Sequence, residues 1–437
     1  MVEPYSAPVA SPVRAMTPLV LCDLTQSYAA RGGGVRNYIH HKREHFLAET
    51  DHEHVLIVPG AEDRVTTAGR STVYTVRSPF VPGSTEYRLL LRSGAVLEVL
   101  ARERPDVVEL PCPYTLPWTA FVHRRRYGCA AVARYGTDFS QAYVGAPLAR
   151  ALGPRAGRLA RRAADRYARA LYNRCDATMA ITPSAAERLR GLGVENVETV
   201  PMGVDADVFH PGRRSEAVRT RLGVGEGDRL LVYTGRFDSE KRPDLVADAF
   251  ERLPASARAS LVLIGDGPMR PALEARAARV PRLHVLPFQD DREALAGYLA
   301  SADVFVSAMA FEVFANSVVE AQACGLAVAG VRAGGMVERV PPGLGALSPT
   351  ASAEGLAEAV TACLGGDLRA MGCRARARVT RAYSWDRTFG RVLDVYGDAL
   401  RVRRAPAGRR PRRGVGAPLQ RGGPRRRPGP RPARPCP

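Results

Sequence analysis

Phe311-Glu312-Val313-Phe314-Ala315-Asn316-Ser317-Val318-Val319-Glu320-Ala321-Gln322-Ala323-Cys324-Gly325 is the stretch on which the reading of this chain turns. It follows an apolar run at 303–307 that reads as a strand, and Gly325 reads as the end of the helix it contains. Glu312 then lies in the loop after the strand and Glu320 near the start of the helix. That arrangement aims two carboxylates and several free helix amides into one crevice at the carboxyl end of a parallel sheet. Carboxylates accept hydrogen bonds from sugar and ribose hydroxyls, while free amides at a helix start bind phosphate. A site that grips both groups points to a nucleotide sugar. The same letters allow a plainer account, because Ser317-x-x-Glu320 also spells a capping box that would explain Glu320 by helix stability alone.

Outward from this stretch, short apolar strands alternate with longer helical patterns. The predicted strands are 19–24, 55–58, 73–76, 107–110, 130–134, 177–181 and 197–200, then 229–234, 260–264, 283–286, 304–307 and 327–331. Such alternation indicates α/β architecture with parallel sheets wrapped by helices. The two series are separated by a turn-rich segment, 201–211, and imply two doubly wound, Rossmann-like domains facing across a cleft. The expected division is a leader (1–17), a first domain (18–203), a second domain (204–382), a crossover helix (383–402) and a tail (403–437). Ser384 is the expected N-cap of the crossover helix.

A length of 437 residues exceeds one hydrophobic core, in accord with two domains. The formal charge of +19 is unevenly spread. Residues 401–437 hold 13 arginines and no acids, which leaves +6 for the rest, so the folded part is mildly basic. The tail is too poor in large apolar residues to fold and lacks the aromatic interleaving that stacks on bases, so no specific nucleic-acid partner is expected. The eight cysteines show no paired spacing and read as reduced thiols of a cytoplasmic protein. No apolar run approaches 18 residues, and the N-terminus lacks the pattern of an export signal. Arg155, Arg158, Arg162, Arg166 and Arg169 recur at helical spacing beside a stripe of Leu159, Ala163, Tyr167 and Leu171. Two readings fit that helix: a solvated basic face beside a core-facing stripe, or a helix lying on an anionic membrane.

Three further motifs bear on chemistry. Arg31-Gly32-Gly33-Gly34 follows the first strand and opens a helix; Gly33 and Gly34 let the backbone approach an anion at the helix start. In Gly235-Arg236-Phe237-Asp238-Ser239-Glu240-Lys241 a strand ends at a glycine and two cations follow, Arg236 as a fork and Lys241 as a point charge, both able to meet one diphosphate. Gly265-Asp266-Gly267-Pro268 and Pro287-Phe288-Gln289 end the next two strands at the same crevice, and Pro287 could offer backbone groups to a base edge.

Together these residues resemble the retaining glycosyltransferases of the GT-B fold, family four in the sequence classification. The resemblance runs from about residue 19 to 400. It rests on the glycine loop, Pro113-Tyr114-Thr115-Leu116-Pro117-Trp118, the 201–211 segment, the Gly235 and Gly265 loops, the Glu312/Glu320 pair, Gly334-Gly335-x-x-Glu338 and the terminal Tyr383-Ser384-Trp385 helix. It implies a GDP- or UDP-sugar donor held by the second domain, an acceptor hydroxyl on a glycolipid or glycan held by the first, and no metal or other cofactor. It implies that Arg236 and Lys241 hold the diphosphate, Glu320 the ribose and Glu312 the donor sugar. Amides of Phe314, Ala315, Asn316 and Ser317 assist, and Asp138 positions a sugar hydroxyl. Transfer of mannose or glucose in cell-envelope synthesis, at the inner face of the plasma membrane, is the implied role. Two positions depart from the pattern. Tyr135-Gly136-Thr137-Asp138-Phe139 has Gly136 where the family commonly has a histidine near the reacting carbon, and Ala315 replaces a usual glycine. The rivals are a glycoside hydrolase, which also uses two carboxylates, a sugar-nucleotide binder without turnover, and a protein that binds nucleic acid through the arginine tail at 403–437.

Overall fold

The computed structural model describes residues 17–28, 33–82, 86–309 and 313–404. The expected leader up to residue 16, Arg31, Gly32, Glu312 and the tail from 405 onward lie outside the described residues. The first sheet has eight strands: β1 (Val20–Leu24), β2 (Glu53–Gly60), β3 (Arg64–Ala68), β4 (Ser71–Arg77), β5 (Val107–Leu110), β6 (Ala130–Tyr135), β7 (Ala177–Ala180) and β8 (Val197–Thr199). Their order is β3-β4-β2-β1-β5-β6-β7-β8. The second sheet has β9 (Arg229–Thr234), β10 (Ala259–Ile264), β11 (Leu283–Leu286), β12 (Val304–Ser307), β13 (Ala327–Val331) and β14 (Gly345–Ser348), in the order β11-β10-β9-β12-β13-β14. Every pairing is parallel except that of β3 with β4. The inner strands are buried along their whole length, as in β6, β12 and β13, because helices cover both faces.

Two strands were not expected from sequence. Every residue of β3 is exposed, so no apolar alternation marks it. The other, β14, is a four-residue edge strand.

The strand order reverses between β1 and β5, and again between β9 and β12. In open parallel sheets the crevice outside the carboxyl ends at such a reversal is where ligands bind. The glycine loop follows β1, the Gly235 loop follows β9, and the Glu320 helix follows β12.

Both sheets share a continuous apolar core that runs through the crossover. Helix Leu368–Ala382 packs on the second domain, and helix Trp385–Arg404 returns to the first, against helix Gly34–Glu49 and β6. The two crossing segments lie side by side: the Val204 amide donates to the Tyr383 carbonyl at 2.7 Å. Gly203 has no side chain because an added Cβ would collide with the Trp385 ring.

A buried charge cluster fixes the glycine-loop helix to the sheet. Asp23 of β1 and Glu109 of β5 are register neighbours whose charges repel. Lys42 stands between them, its Nζ 2.6 Å from Asp23 and 2.9 Å from Glu109, and Tyr396 of the last helix donates to Glu109. Burial opposes the Lys42 charge, but the two carboxylates more than offset it and hold its pKa above the usual value. The first and last helices are thereby pinned to one point of the sheet. The seven cysteines described are all free thiols.

Candidate active site

The Gly235 loop is rigid for local reasons. Phe237 is fully buried, and its amide donates to the Asp266 carbonyl at 2.8 Å. The Asp238 carboxylate accepts from the amides of Glu240 (3.1 Å) and Lys241 (2.9 Å), which curls the chain so that Lys241 returns toward Arg236. Arg236 Nη2 lies 3.2 Å from Glu240 Oε2, and Lys241 Nζ lies 3.7 Å from Glu240 Oε1. Two cations converging on one carboxylate can converge on one diphosphate. Burial opposes the Arg236 charge, yet Asp238 and Glu240 keep its pKa above the ordinary value.

Across the cleft, helix Gly34–Glu49 starts beside helix Asn316–Ala323: a Cβ on Gly34 would lie 3.1 Å from Asn316 Nδ2. Neither helix has an acidic residue in its first turn. Two positive helix ends therefore meet with no acidic residue in either first turn, an arrangement that an anion stabilises. Gly33 turns the loop at φ 93°, in the region that favours glycine, and a Cβ there would lie 3.8 Å from Tyr87 Oη. Tyr87 and Tyr143 of the first domain both stand within electrostatic reach of Arg236. Neither was identified from sequence, since Tyr87 occupies an irregular segment and Tyr143 a turn of π-helix, Ser140–Gly145.

Glu320 is not part of a capping box. The N-cap of its helix is Ala315, with no side-chain cap, so Ser317 lies inside the first turn. Burial raises the Glu320 pKa, opposed by Arg292, whose Nη2 is 3.2 Å from Glu320 Oε1. Arg292 also lies over the Phe209 ring, 4.9 Å from its centroid. Ala315 adopts φ 62°, the left-handed conformation that explains why glycine suits this position. Phe314 is buried, and its carbonyl accepts from Arg339 Nε at 2.9 Å, which fixes the approach to the helix.

Gly265 has a packing explanation: a Cβ there would collide with the Gly235 carbonyl, so two bare backbones are needed for the loops to meet. Pro287 follows β11, and its carbonyl accepts from the Gln289 side chain at 2.9 Å. Asp138 is held in an ion-pair cluster of the first domain, 2.6 Å from Arg188 Nε and 3.8 Å from Arg161 Nη2. That gives its carboxylate a structural employment separate from the Arg236–Lys241 group. At Gly136 an added Cβ would meet only Ile181 Cδ1, at 3.7 Å, so the position has room for a side chain. Among the described residues no group of three or more His, Cys, Asp or Glu is placed to hold a metal ion.

Known proteins share this chain's sequence pattern and fold. Residues 228–365 match the family described as glycosyl transferases group 1, and residues 32–208 match glycosyltransferase family 4. The chain is 32% identical over 378 residues to a GDP-mannose-dependent alpha-(1-6)-phosphatidylinositol dimannoside mannosyltransferase of Mycobacterium tuberculosis, covering 85% of this chain and 94% of that one. It is 29% identical to a GDP-mannose-dependent alpha-mannosyltransferase of Corynebacterium glutamicum, covering 88% and 90%. Among solved structures, sucrose-phosphate synthase from Thermosynechococcus elongatus superposes with a TM-score of 0.71 at 18% identity, over 87% of this chain and 98% of that one. Anabaena HepE in complex with UDP and glucose does so at 0.66 and 16%, over 87% and 100%. These two share the two-domain fold. By sequence over nearly its whole described length, the chain belongs to the group 1, family 4 glycosyltransferases.

Proposed function

We propose that this glycosyltransferase moves mannose from GDP-mannose to a hydroxyl of a membrane glycolipid, with retention at the anomeric carbon and without a metal ion. The observations that carry the reading are the meeting of Arg236 and Lys241 on one carboxylate and the meeting of two helix N-termini at Gly34 and Asn316. That group supplies the charge compensation which a leaving diphosphate needs, and which a glycoside hydrolase does not. Mannose is favoured over glucose by the names of the relatives in Mycobacterium and Corynebacterium, and a phosphatidylinositol-borne acceptor by that of the Mycobacterium relative alone. In the proposed step the acceptor oxygen attacks the anomeric carbon on the face the diphosphate leaves. The carbon–oxygen bond to the diphosphate breaks with its electron pair staying on the phosphate, and a phosphate oxygen takes the acceptor proton. Arg236, Lys241 and the amides of Phe314 to Ser317 stabilise the departing charge. Glu320 holds the ribose and Glu312 the donor sugar. The enzyme works at the cytoplasmic face of the membrane that carries its acceptor.

The test is transfer of labelled mannose from GDP-mannose to phosphatidylinositol mannosides in detergent, with EDTA present. An α-linked product is expected by NMR. A β-linked product removes retention, and loss of turnover in EDTA removes metal independence. Nucleotide binding with no turnover on any hexose donor would favour a binder that has lost catalysis, the reading Gly136 suggests. In Arg236→Ala and Lys241→Ala, turnover is expected to fall by about 10²–10³ with circular dichroism unchanged; wild-type rates in both would remove their assignment.

A further inference from the structure

We propose that the first domain carries a docking face for an anionic lipid bilayer, formed by helices Ala146–Leu152 and Pro154–Tyr172 with the exposed side of helix Leu116–Tyr127. This deepens the glycolipid-acceptor reading and rests on it only for its purpose, since the binding itself needs no turnover. The arginine spacing at 155–169 left two readings open, and burial decides between them. A core-facing stripe requires Leu159 and Ala163 to be covered. Instead Leu159 is 68% exposed and Ala163 is exposed, while only the far half of the stripe, Tyr167 and Leu171, packs on the core. Leu152, at the end of the preceding helix, is 71% exposed.

Cations neighbour Leu159 on its helix, with Arg155 four residues before it and Arg162 three after. Arg150, Arg155, Arg158, Arg162, Arg166 and Arg169 are all exposed. The one acid between residues 146 and 172, Asp165, is turned to Arg188 at 2.8 Å and is spent within the fold. The neighbouring helix extends the apolar strip: Trp118 and Val122, one turn apart, are both exposed. Trp118 Nε1 donates to Tyr167 Oη at 3.1 Å, joining the two helices into one surface. Large exposed leucines are costly in water, whereas leucines flanked by arginines suit the boundary between acyl chains and anionic headgroups. A tryptophan with a polar tip fits the same boundary.

The position suits the reaction. Tyr167 also donates to the carbonyls of Pro113 (2.7 Å) and Tyr114 (3.0 Å), in the loop after β5 at the carboxyl end of the first sheet. Tyr143, in the turn that leads into these helices, stands within electrostatic reach of Arg236. The face therefore borders the mouth of the cleft on the acceptor side. A nucleic acid would satisfy the arginines but not the leucines, which is why a bilayer is favoured.

The experiment is co-sedimentation of the full chain with vesicles of phosphatidylcholine alone or mixed with phosphatidylglycerol. The wild type is expected to bind the mixed vesicles, and to bind them less as salt rises. Leu152→Ser/Leu159→Ser is expected to lower partition by about tenfold or more from the lost apolar burial. Arg155→Gln/Arg158→Gln/Arg162→Gln should lower it by about a hundredfold. Both positions of the leucine variant are exposed, so its circular dichroism and its GDP titration should match the wild type. Leu159→Trp should add a blue-shifted component to the emission on mixed vesicles, beyond any change in the wild type, whose Trp118 lies on the same face. Wild-type partition by the leucine variant, or equal binding to phosphatidylcholine alone, overturns the proposal. So does unshifted emission, since the arginines would then be acting as a general polyanion site such as RNA also fills. Failure of GDP-mannose transfer with vesicle binding intact would instead count against the donor reading.

Discussion

Gly136 is one of two residues at which the chain departs from the pattern it resembles, and the structure makes the departure testable. An added Cβ finds only Ile181 Cδ1, at 3.7 Å, and the backbone there is not left-handed, so a Cβ is accommodated without strain. One hydrogen bond to a neutral sugar hydroxyl contributes a net 0.5–1.5 kcal/mol, roughly three- to tenfold in rate. A bond that strengthens as charge develops at the anomeric carbon is worth about 10²-fold. Gly136→His is therefore expected to raise turnover in single-turnover kinetics while leaving nucleotide affinity unchanged. A variant that folds and binds nucleotide but reacts no faster would show that Gly136 is a settled feature of this enzyme. Ala315 is the second departure, and there the conformation explains the family's glycine: φ 62° is a region that alanine occupies at a cost of about 1 kcal/mol.

At the scale of the element, the helix Asn316–Ala323 carries the question of Glu320. With Ala315 as N-cap, Glu320 contributes nothing to capping, and its one ion-pair partner given by the structure is Arg292. Loss of ribose binding and loss of the ion pair then predict different patterns. Glu320→Gln is expected to weaken nucleotide binding by about tenfold, the worth of a hydrogen bond to a charged group. Arg292→Gln should leave most of that affinity in place. Equal losses in calorimetry would mean that Glu320 acts through Arg292 and not on the nucleotide. The placement of the candidate residues was legible beforehand. Glycines and cations that follow strands stand out by their spacing, so Gly34, Arg236 and Lys241 could be located from it. What brings Gly34 against Asn316 is the packing of two domains, which no local pattern encodes. Gly265 looked like a ligand loop yet is also required by contact with Gly235. Leu159 looked like core because helical periodicity reports that a face is apolar without reporting what covers it.

For the whole molecule, the burial of its histidines leads to an expected response to acid. Seven of the eight histidines have pKa values pulled down, in each case chiefly by burial: His40, His41, His45, His52, His123, His210 and His284. His41 is lowered to about 4, with Arg292 of the second domain adding to the effect of burial. It stacks on Trp385 at the crossover, ring centroids 4.6 Å apart. A histidine whose folded pKa is depressed takes up its proton more readily in the unfolded chain, where the value is near 6.5. Its contribution is thus complete above about pH 6.5 and is lost as pH falls toward the folded value, for His41 near 4. Asp23, lowered by Lys42 and His54 against the effect of burial, acts in the same direction at still lower pH. Glu320, raised by burial, acts in the opposite direction, one group against seven. The midpoint of denaturation is therefore expected to drop steadily between pH 7 and about pH 5, well before ordinary carboxylates titrate. His41→Phe keeps a ring against Trp385 and removes one titrating group, so it should flatten that slope without lowering stability at pH 7. The measurement is urea denaturation across this pH range for both proteins. A wild-type midpoint that stays level from pH 7 to 5, or a variant with the wild-type slope, would show that His41 at the crossover does not govern acid stability.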